Sequence, residues 1–104
     1  MPAVKPGEIW LVDFGIAAKV RPALLLTGNP ALEELDLVTV VLHTTSLRGN
    51  RWELSIPKPF LKPGAFHLQQ VQSVSTVKLE RKLGALTDEE MNRVLDALSA
   101  RFGI

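Results

Sequence analysis

The apolar residues of this sequence arrive in short runs closed by glycine or proline, and only the stretch after Leu86 abandons that rhythm. Glu8-Ile9-Trp10-Leu11-Val12-Asp13-Phe14 lies between Pro6-Gly7 and Gly15. Ala23-Leu24-Leu25-Leu26-Thr27 lies between Arg21-Pro22 and Gly28-Asn29-Pro30. Leu37-Val38-Thr39-Val40-Val41-Leu42-His43 is rich in β-branched side chains and holds no breaker. Such runs are too short for ordinary helices, and branched and aromatic side chains suit a pleated surface, so each reads as a strand. Pro22 then belongs at the first position of its strand, where a missing N–H does least damage. Ile16 to Val20 reads as a short linker, and Ala31 to Leu35 as no more than a helical turn.

Beyond Gly49-Asn50, Trp52-Glu53-Leu54-Ser55-Ile56 alternates as a half-buried strand. Pro57, Pro59, Pro63 and Gly64 make an irregular connection. Strand character returns from Phe66 to Val77, with a further short piece around Leu83. The last element differs. Thr87 followed by Glu90 is a capping box, and Leu86 with Met91 has the spacing of a hydrophobic staple. Met91, Val94, Leu95, Leu98 and Phe102 repeat at the helical period, and Gly103 can end the helix. The expected fold is mainly β with a C-terminal α-helix: one domain over residues 1–104, built as a small antiparallel barrel or curled sheet.

Composition narrows the chemistry. A length of 104 residues, 46% hydrophobic and 22% charged with both signs mixed, suits a single globular core rather than a disordered tail. A core of this size has little stability in reserve, so a dimer interface is a plausible supplement. The absence of cysteine rules out disulfides, thiolate-ligated zinc and a thiol nucleophile, and fits a reducing cytoplasm. No apolar run nears the roughly 20 residues that span a bilayer, and Met1-Pro2-Ala3-Val4-Lys5-Pro6 does not read as a signal peptide. The formal net charge of +1 says little about partners. Lys19 with Arg21, Arg48 with Arg51, and Lys78, Arg81 and Lys82 form local clusters, which read equally well as solvated surface charges.

His43 and His67 sit in no metal-ligand spacing, and neither a nucleophile elbow nor a phosphate-binding glycine loop is present. Neither a metal nor a cofactor is expected. What remains is a polar cluster at strand ends. His43-Thr44-Thr45-Ser46 follows the most apolar strand directly, and Arg21 stands at the mouth of another. Alternation sets Thr44 on the face of Val38, Val40 and Leu42, with His43 opposite. An arginine near hydroxyl donors suits a phosphate, and the same set can stabilise the charge that builds up when a 2′-hydroxyl attacks the adjacent phosphorus. A strand-end turn with a surface ion pair accounts for the same residues.

The order of these segments resembles the MazF/PemK-type toxins. Gly7-Glu8-Ile9-Trp10-Leu11-Val12-Asp13-Phe14 and Arg21-Pro22-Ala23-Leu24-Leu25-Leu26 resemble that family's opening strands. His43-Thr44-Thr45-Ser46 falls at its threonine-bearing strand end, Leu68-Gln69-Gln70-Val71-Gln72-Ser73-Val74 at a later strand, and Leu83-Gly84-Ala85-Leu86-Thr87 just before its last helix. The resemblance implies an SH3-like barrel assembled as a homodimer. Its activity would be metal-independent, sequence-selective cleavage of single-stranded messenger or ribosomal RNA, restrained by a cognate antitoxin, with DNA bound only by the toxin–antitoxin complex. By position, Arg21 and Thr44 match the catalytic pair, and Lys19, Thr45, Ser46, Gln69 and Gln70 would contact RNA. Two departures stand out: the connection between Phe14 and Arg21 is short, and Gln69 stands where many relatives carry aspartate. His43 is the candidate for proton transfer in its place. The competing readings are a non-enzymatic gyrase poison of the CcdB type and an inactive nucleic-acid-binding relative. The ending Arg101-Phe102-Gly103-Ile104, without the tryptophan such poisons use, counts against the former.

Overall fold

The structure, a computed structural model, describes residues 3–17 and 19–104. Six strands form one antiparallel sheet: β1 (Glu8–Asp13), β2 (Val20–Leu25), β3 (Leu37–Thr44), β4 (Glu53–Leu54), β5 (Ala65–Ser75) and β6 (Leu79–Ala85). Their order across the sheet is β4-β5-β3-β2-β1-β6, and the helix α1 (Asp88–Phe102) follows. The connections β1 to β2, β2 to β3 and β4 to β5 join antiparallel neighbours, β3 to β4 steps over β5, and the last crosses the whole sheet. There the chain passes from β5 to β6 through a single 3-10 turn, Thr76–Lys78.

That turn dictates the shape. Ser75 pairs with Leu37 of β3, and Leu79 pairs with Val12 of β1. In a flat sheet β5 and β6, four strand spacings apart, would be separated by about 19 Å, whereas a three-residue 3-10 turn rises about 6 Å. The sheet must therefore curl until its two sides nearly meet. The hydroxyls of Ser75 (3.3 Å) and Thr76 donate to the Asp36 carboxylate and hold that end together. Curling stops short of closure: β4 and β6 remain edges, so of the expected barrel or curled sheet the chain forms the curled sheet rather than a closed SH3-like barrel.

Because the sheet is rolled and also covered, both faces are apolar. One face gathers Trp10, Val12, Ala23, Leu25, Val40 and Leu42 in the inside of the roll. The other gathers Ile9, Leu24, Val41 and Phe66 beneath Val94 and Leu98 of α1. The period-2 alternation of β1, β2 and β3 divides between the two, which is why these strands read as nearly continuous apolar runs.

The helix starts as its sequence requires. Thr87 Oγ1 accepts from the Glu90 N–H at 3.1 Å, and Glu90 Oε1 accepts from the Thr87 N–H at 2.9 Å. Gly103 ends it at φ 74°, the left-handed C-cap. The expected apolar stripe is only partly used: Val94 and Leu98 are buried, while Leu95 and Phe102 are exposed on the outer side.

Three further expectations change. Pro22 is the third residue of its strand, yet β2 pairs with β3 only from Ala23 onward, so the proline sits where β2 has one neighbour rather than two. The alternating Trp52–Ile56 segment pairs only at Glu53 and Leu54, because Ile56 turns under α1 and the proline-rich connection begins there. Residues 31–35 form turns rather than helix.

Candidate active site

The site grows out of the register between β2 and β3. Ala23 faces Leu42, and the same register continued by two residues sets Arg21 opposite Thr44 on one face. Here β2 and β3 no longer pair with each other, though Arg21 still pairs with Val12 of β1 and Thr44 with Ala65 of β5, and a cleft of about 430 Å³ opens at this corner. Its wall takes in Arg21, His43, Thr44, Thr45 and Ser46, together with Phe60, Lys62 and Arg81. Five residues singled out from sequence thus meet in one depression.

Thr44 is 8% exposed, and its Oγ1 accepts from the Ser46 N–H at 3.0 Å. The strand-end turn foreseen as the plainer explanation is therefore present. It does not exhaust the hydroxyl, which keeps its own proton as a donor and is fixed in place by the turn. His43 is 6% exposed and meets Phe66 edge to face, with centroids 5.1 Å apart. Burial pushes its pKa down, so the imidazole is neutral at pH 7. Gly64 braces this corner: a Cβ there would lie 2.1 Å from the Thr44 carbonyl oxygen, so no other residue allows the connection to pass so close.

The electrostatics of the cleft are one-sided. Arg21, Lys62 and Arg81 line it, and among the described residues no carboxylate belongs to its wall. Nearby acids are engaged elsewhere. Glu53 accepts the N–H groups of Arg48, Gly49 and Asn50 at 2.6, 2.7 and 3.2 Å, which hold its carboxyl below the usual range despite burial. Glu90 is held low chiefly by Lys58, whose ammonium lies 2.6 Å away. Among the described residues no three His, Asp or Glu side chains gather as a metal-binding group.

Three of the residues proposed from sequence lie outside the cleft wall. Lys19 is exposed at φ 60° in the turn between β1 and β2, where its carbonyl accepts from the Phe14 N–H at 3.0 Å. Gln69 and Gln70 ride on an outward excursion of β5. Two steps along β3, from Val41 to His43, correspond to five along β5, from Val71 back to Phe66. Gln69 there accepts from Asn50 Nδ2 at 3.3 Å.

Sequence reasoning missed Lys62, Arg81 and Phe60. Arg81 belonged to a noted basic cluster, but which way it points depends on pairing with Leu11, a cleft residue. Lys62 comes in on the proline-rich connection, and no periodicity announces it.

Residues 5–102 match the family model described as "PemK-like, MazF-like toxin of type II toxin-antitoxin system". The protein named probable endoribonuclease MazF5 of Mycobacterium tuberculosis is 30% identical over 95 residues, covering 88% of this chain and 86% of that one. Solved structures share the fold. An endoribonuclease in complex with its cognate antitoxin, from a mycobacterial species, has a TM-score of 0.79 at 21% identity, covering 100% of this chain and 97% of the other. A chain of the MazE-MazF crystal structure (Form-II) from Deinococcus radiodurans has a TM-score of 0.81 at 17% identity, covering 100% and 99%. With its rolled sheet, capping helix and near full-length family match, this chain belongs to the PemK-like, MazF-like toxins of type II toxin–antitoxin systems.

Proposed function

We propose that the chain is an endoribonuclease toxin that cuts single-stranded RNA by transesterification at the Arg21–Thr44 cleft. The observation that carries this reading is a carboxylate-free cleft in which an arginine, a fixed threonine hydroxyl and a neutral histidine converge. A phosphodiester is the ligand whose charge and shape such a wall accommodates. Support also comes from the relative named a probable endoribonuclease.

In the reaction, the 2′-hydroxyl oxygen bonds to the adjacent phosphorus while the bond to the 5′-oxygen breaks. The products are a 2′,3′-cyclic phosphate and a 5′-hydroxyl. His43 takes the proton leaving the 2′-hydroxyl, and solvent returns one to the departing 5′-oxygen. Arg21 and the Thr44 hydroxyl donate to the equatorial oxygens as charge builds there. Thr45 and Ser46 extend the donor wall. Lys19, Gln69 and Gln70 would touch only RNA that continues beyond the cleft.

The toxin acts as a homodimer in the cytoplasm, and a cognate antitoxin restrains it; DNA binding belongs to the toxin–antitoxin complex. No helix among the described residues is long and apolar enough to cross a membrane. The exposed Leu95 and Phe102 on α1 are apolar surface that an assembly can cover. The test is incubation of the purified chain with long RNA in EDTA. Cleavage that persists, leaving cyclic phosphate ends, is the expected result; intact RNA under these conditions overturns the proposal.

A further inference from the structure

A second cavity, of about 310 Å³, adjoins the cleft and shares His43 and Lys62 with it as a common wall. Ile56, Pro57, Leu61 and Pro63 supply apolar surface, and Ser55 and Lys62 supply donors. We propose that this cavity receives the nucleobase of one nucleotide flanking the scissile phosphate, as a specificity subsite separate from the Arg21–Thr44 cleft. The inference rests on the nuclease reading and adds what that reading lacks, a place for a base.

The two cavities divide along lines that match the two halves of a nucleotide. The cleft carries the cations Arg21 and Arg81 and the hydroxyls of Thr44, Thr45 and Ser46, which suit phosphate oxygens. The second cavity carries two proline rings and two aliphatic side chains, which suit the flat apolar face of a base. Lys62 stands in the partition, where it can serve the phosphate on one side or a base carbonyl on the other. It has no ion-pair partner among the described residues, whereas Lys58, in the same wall, is held by Glu90 at 2.6 Å. The size lies at the low end for small-molecule pockets, which leaves room for one base and little else.

The walls are also prebuilt. The Leu61 N–H donates to the Lys58 carbonyl at 3.0 Å, and Ile56 is 3% exposed beneath α1. Phe60 packs so closely on Gly84 that a Cβ there would come within 2.3 Å of its ring, and Gly64 lies on the Thr44 carbonyl. A connection pinned at these points and stiffened by Pro57, Pro59 and Pro63 gives a base a rigid seat, which lowers the cost of ordering on binding.

The test uses single-stranded oligoribonucleotides with one cut site and abasic substitutions at each flanking position in turn. Removal of one of the two flanking bases lowers kcat/KM of the wild-type protein at least about tenfold, in the range of base-stacking losses. Ser55→Trp, a change at an exposed rim residue that places an indole in the cavity, lowers kcat/KM on intact RNA about as much. It leaves the rate on that abasic substrate at the wild-type level. Wild-type rates indifferent to both flanking bases overturn the subsite without requiring any variant. So does Ser55→Trp cleaving every substrate as the wild type does, the outcome if the cavity instead receives a protein side chain. If the wild-type protein cleaves no RNA at all, the nuclease reading falls and the subsite with it.

Discussion

Arg81 and Lys82 are neighbours in sequence and end in opposite circumstances. Lys82 pairs with Trp10 on the inner face of the roll, where its ammonium lies 3.0 Å from Glu8. The Glu8 carboxylate also accepts from Trp10 Nε1 and from the Lys5 N–H, each at 3.1 Å. Burial raises the Glu8 pKa, but these donors and the lysine outweigh it and hold the carboxyl below its usual value. Arg81 pairs with Leu11 and lines the cleft together with Arg21 and Lys62; among the described residues neither Arg81 nor Lys62 has an ion-pair partner. The Glu8–Lys82 pair is neutralised to serve folding, whereas the charges of Lys62 and Arg81 stand at the cleft for a ligand to complete.

The most direct way to break this contrast is to remove the central cation of the cleft. Arg21→Ala lowers RNA cleavage by about a thousandfold or more, the loss typical of a donor aimed at developing charge. Arg21 is exposed, so the unfolding free energy changes by about 1 kcal/mol or less. Retained cleavage would show that the cleft is ordinary surface. Glu8→Ala has the reverse signature. It leaves the buried Trp10 N–H and the Lys5 N–H without their acceptor and costs about 1–3 kcal/mol in urea unfolding, with kcat/KM unchanged in the folded protein. A parallel loss of activity and stability in Glu8→Ala would erase the distinction between the Glu8–Lys82 pair and the cleft.

The strands and the capped helix were legible in sequence because each depends on nearby residues and a fixed period, whereas Arg21 and Thr44, on different strands, were joined only by family position. Ile9 and Trp10 point to opposite faces, and Thr87 finds Glu90 one turn on, whatever the rest of the chain does. A curled sheet was legible only as the alternative to a closed barrel, since the choice between them follows from how far β5 and β6 must approach across the short turn at Thr76–Lys78. Arg81 was hidden for a related reason. The β1–β6 ladder shifts register between Leu11 and Val12, so counting along β6 alone does not say which basic residue reaches the cleft. Gln69 and Gln70 were placed by family position, and the outward excursion of β5 that carries them away from the cleft wall is a long-range mismatch of strand lengths.

Acid separates the cleft from the Glu8–Lys82 pair on a smaller scale. Burial lowers the His43 pKa, so the unfolded chain takes up a proton on this histidine at higher pH than the folded protein does. Its stabilising contribution is complete above the unfolded value of about 6.5 and fades as pH falls through it toward the lower folded value. Unfolding free energy therefore declines between pH 7.5 and 5.5 by less than about 1.4 kcal/mol per pH unit, the ceiling for one proton. His43→Gln removes this part of the slope. Glu8 has a lowered pKa, so its contribution is present above the unfolded value of about 4.3 and is lost only below it. Glu8→Ala keeps the wild-type slope between pH 7.5 and 5.5 and flattens it below about pH 4.5. A wild-type slope unchanged by His43→Gln would mean that the buried histidine is not the group titrating near neutrality.

The smallest effect is the one that most sharply distinguishes the adjacent basic residues. For single-stranded nucleic acid, each phosphate neutralised steepens the fall of log affinity with log salt by about 0.7. Binding is best measured with an oligonucleotide 2′-O-methylated at the cut site, which cannot react. Lys62→Ala and Arg81→Ala each lower the salt slope by about 0.7, because both side chains line the cleft with no carboxylate to share. Lys82→Ala leaves the slope unchanged, since its ammonium already answers Glu8 on the other face. An equal drop for Lys82→Ala and Arg81→Ala would mean that RNA senses only the net charge of β6. Unequal drops mean that strand alternation, which sends one cation to a carboxylate and its neighbour to the cleft, decides which of them the RNA meets.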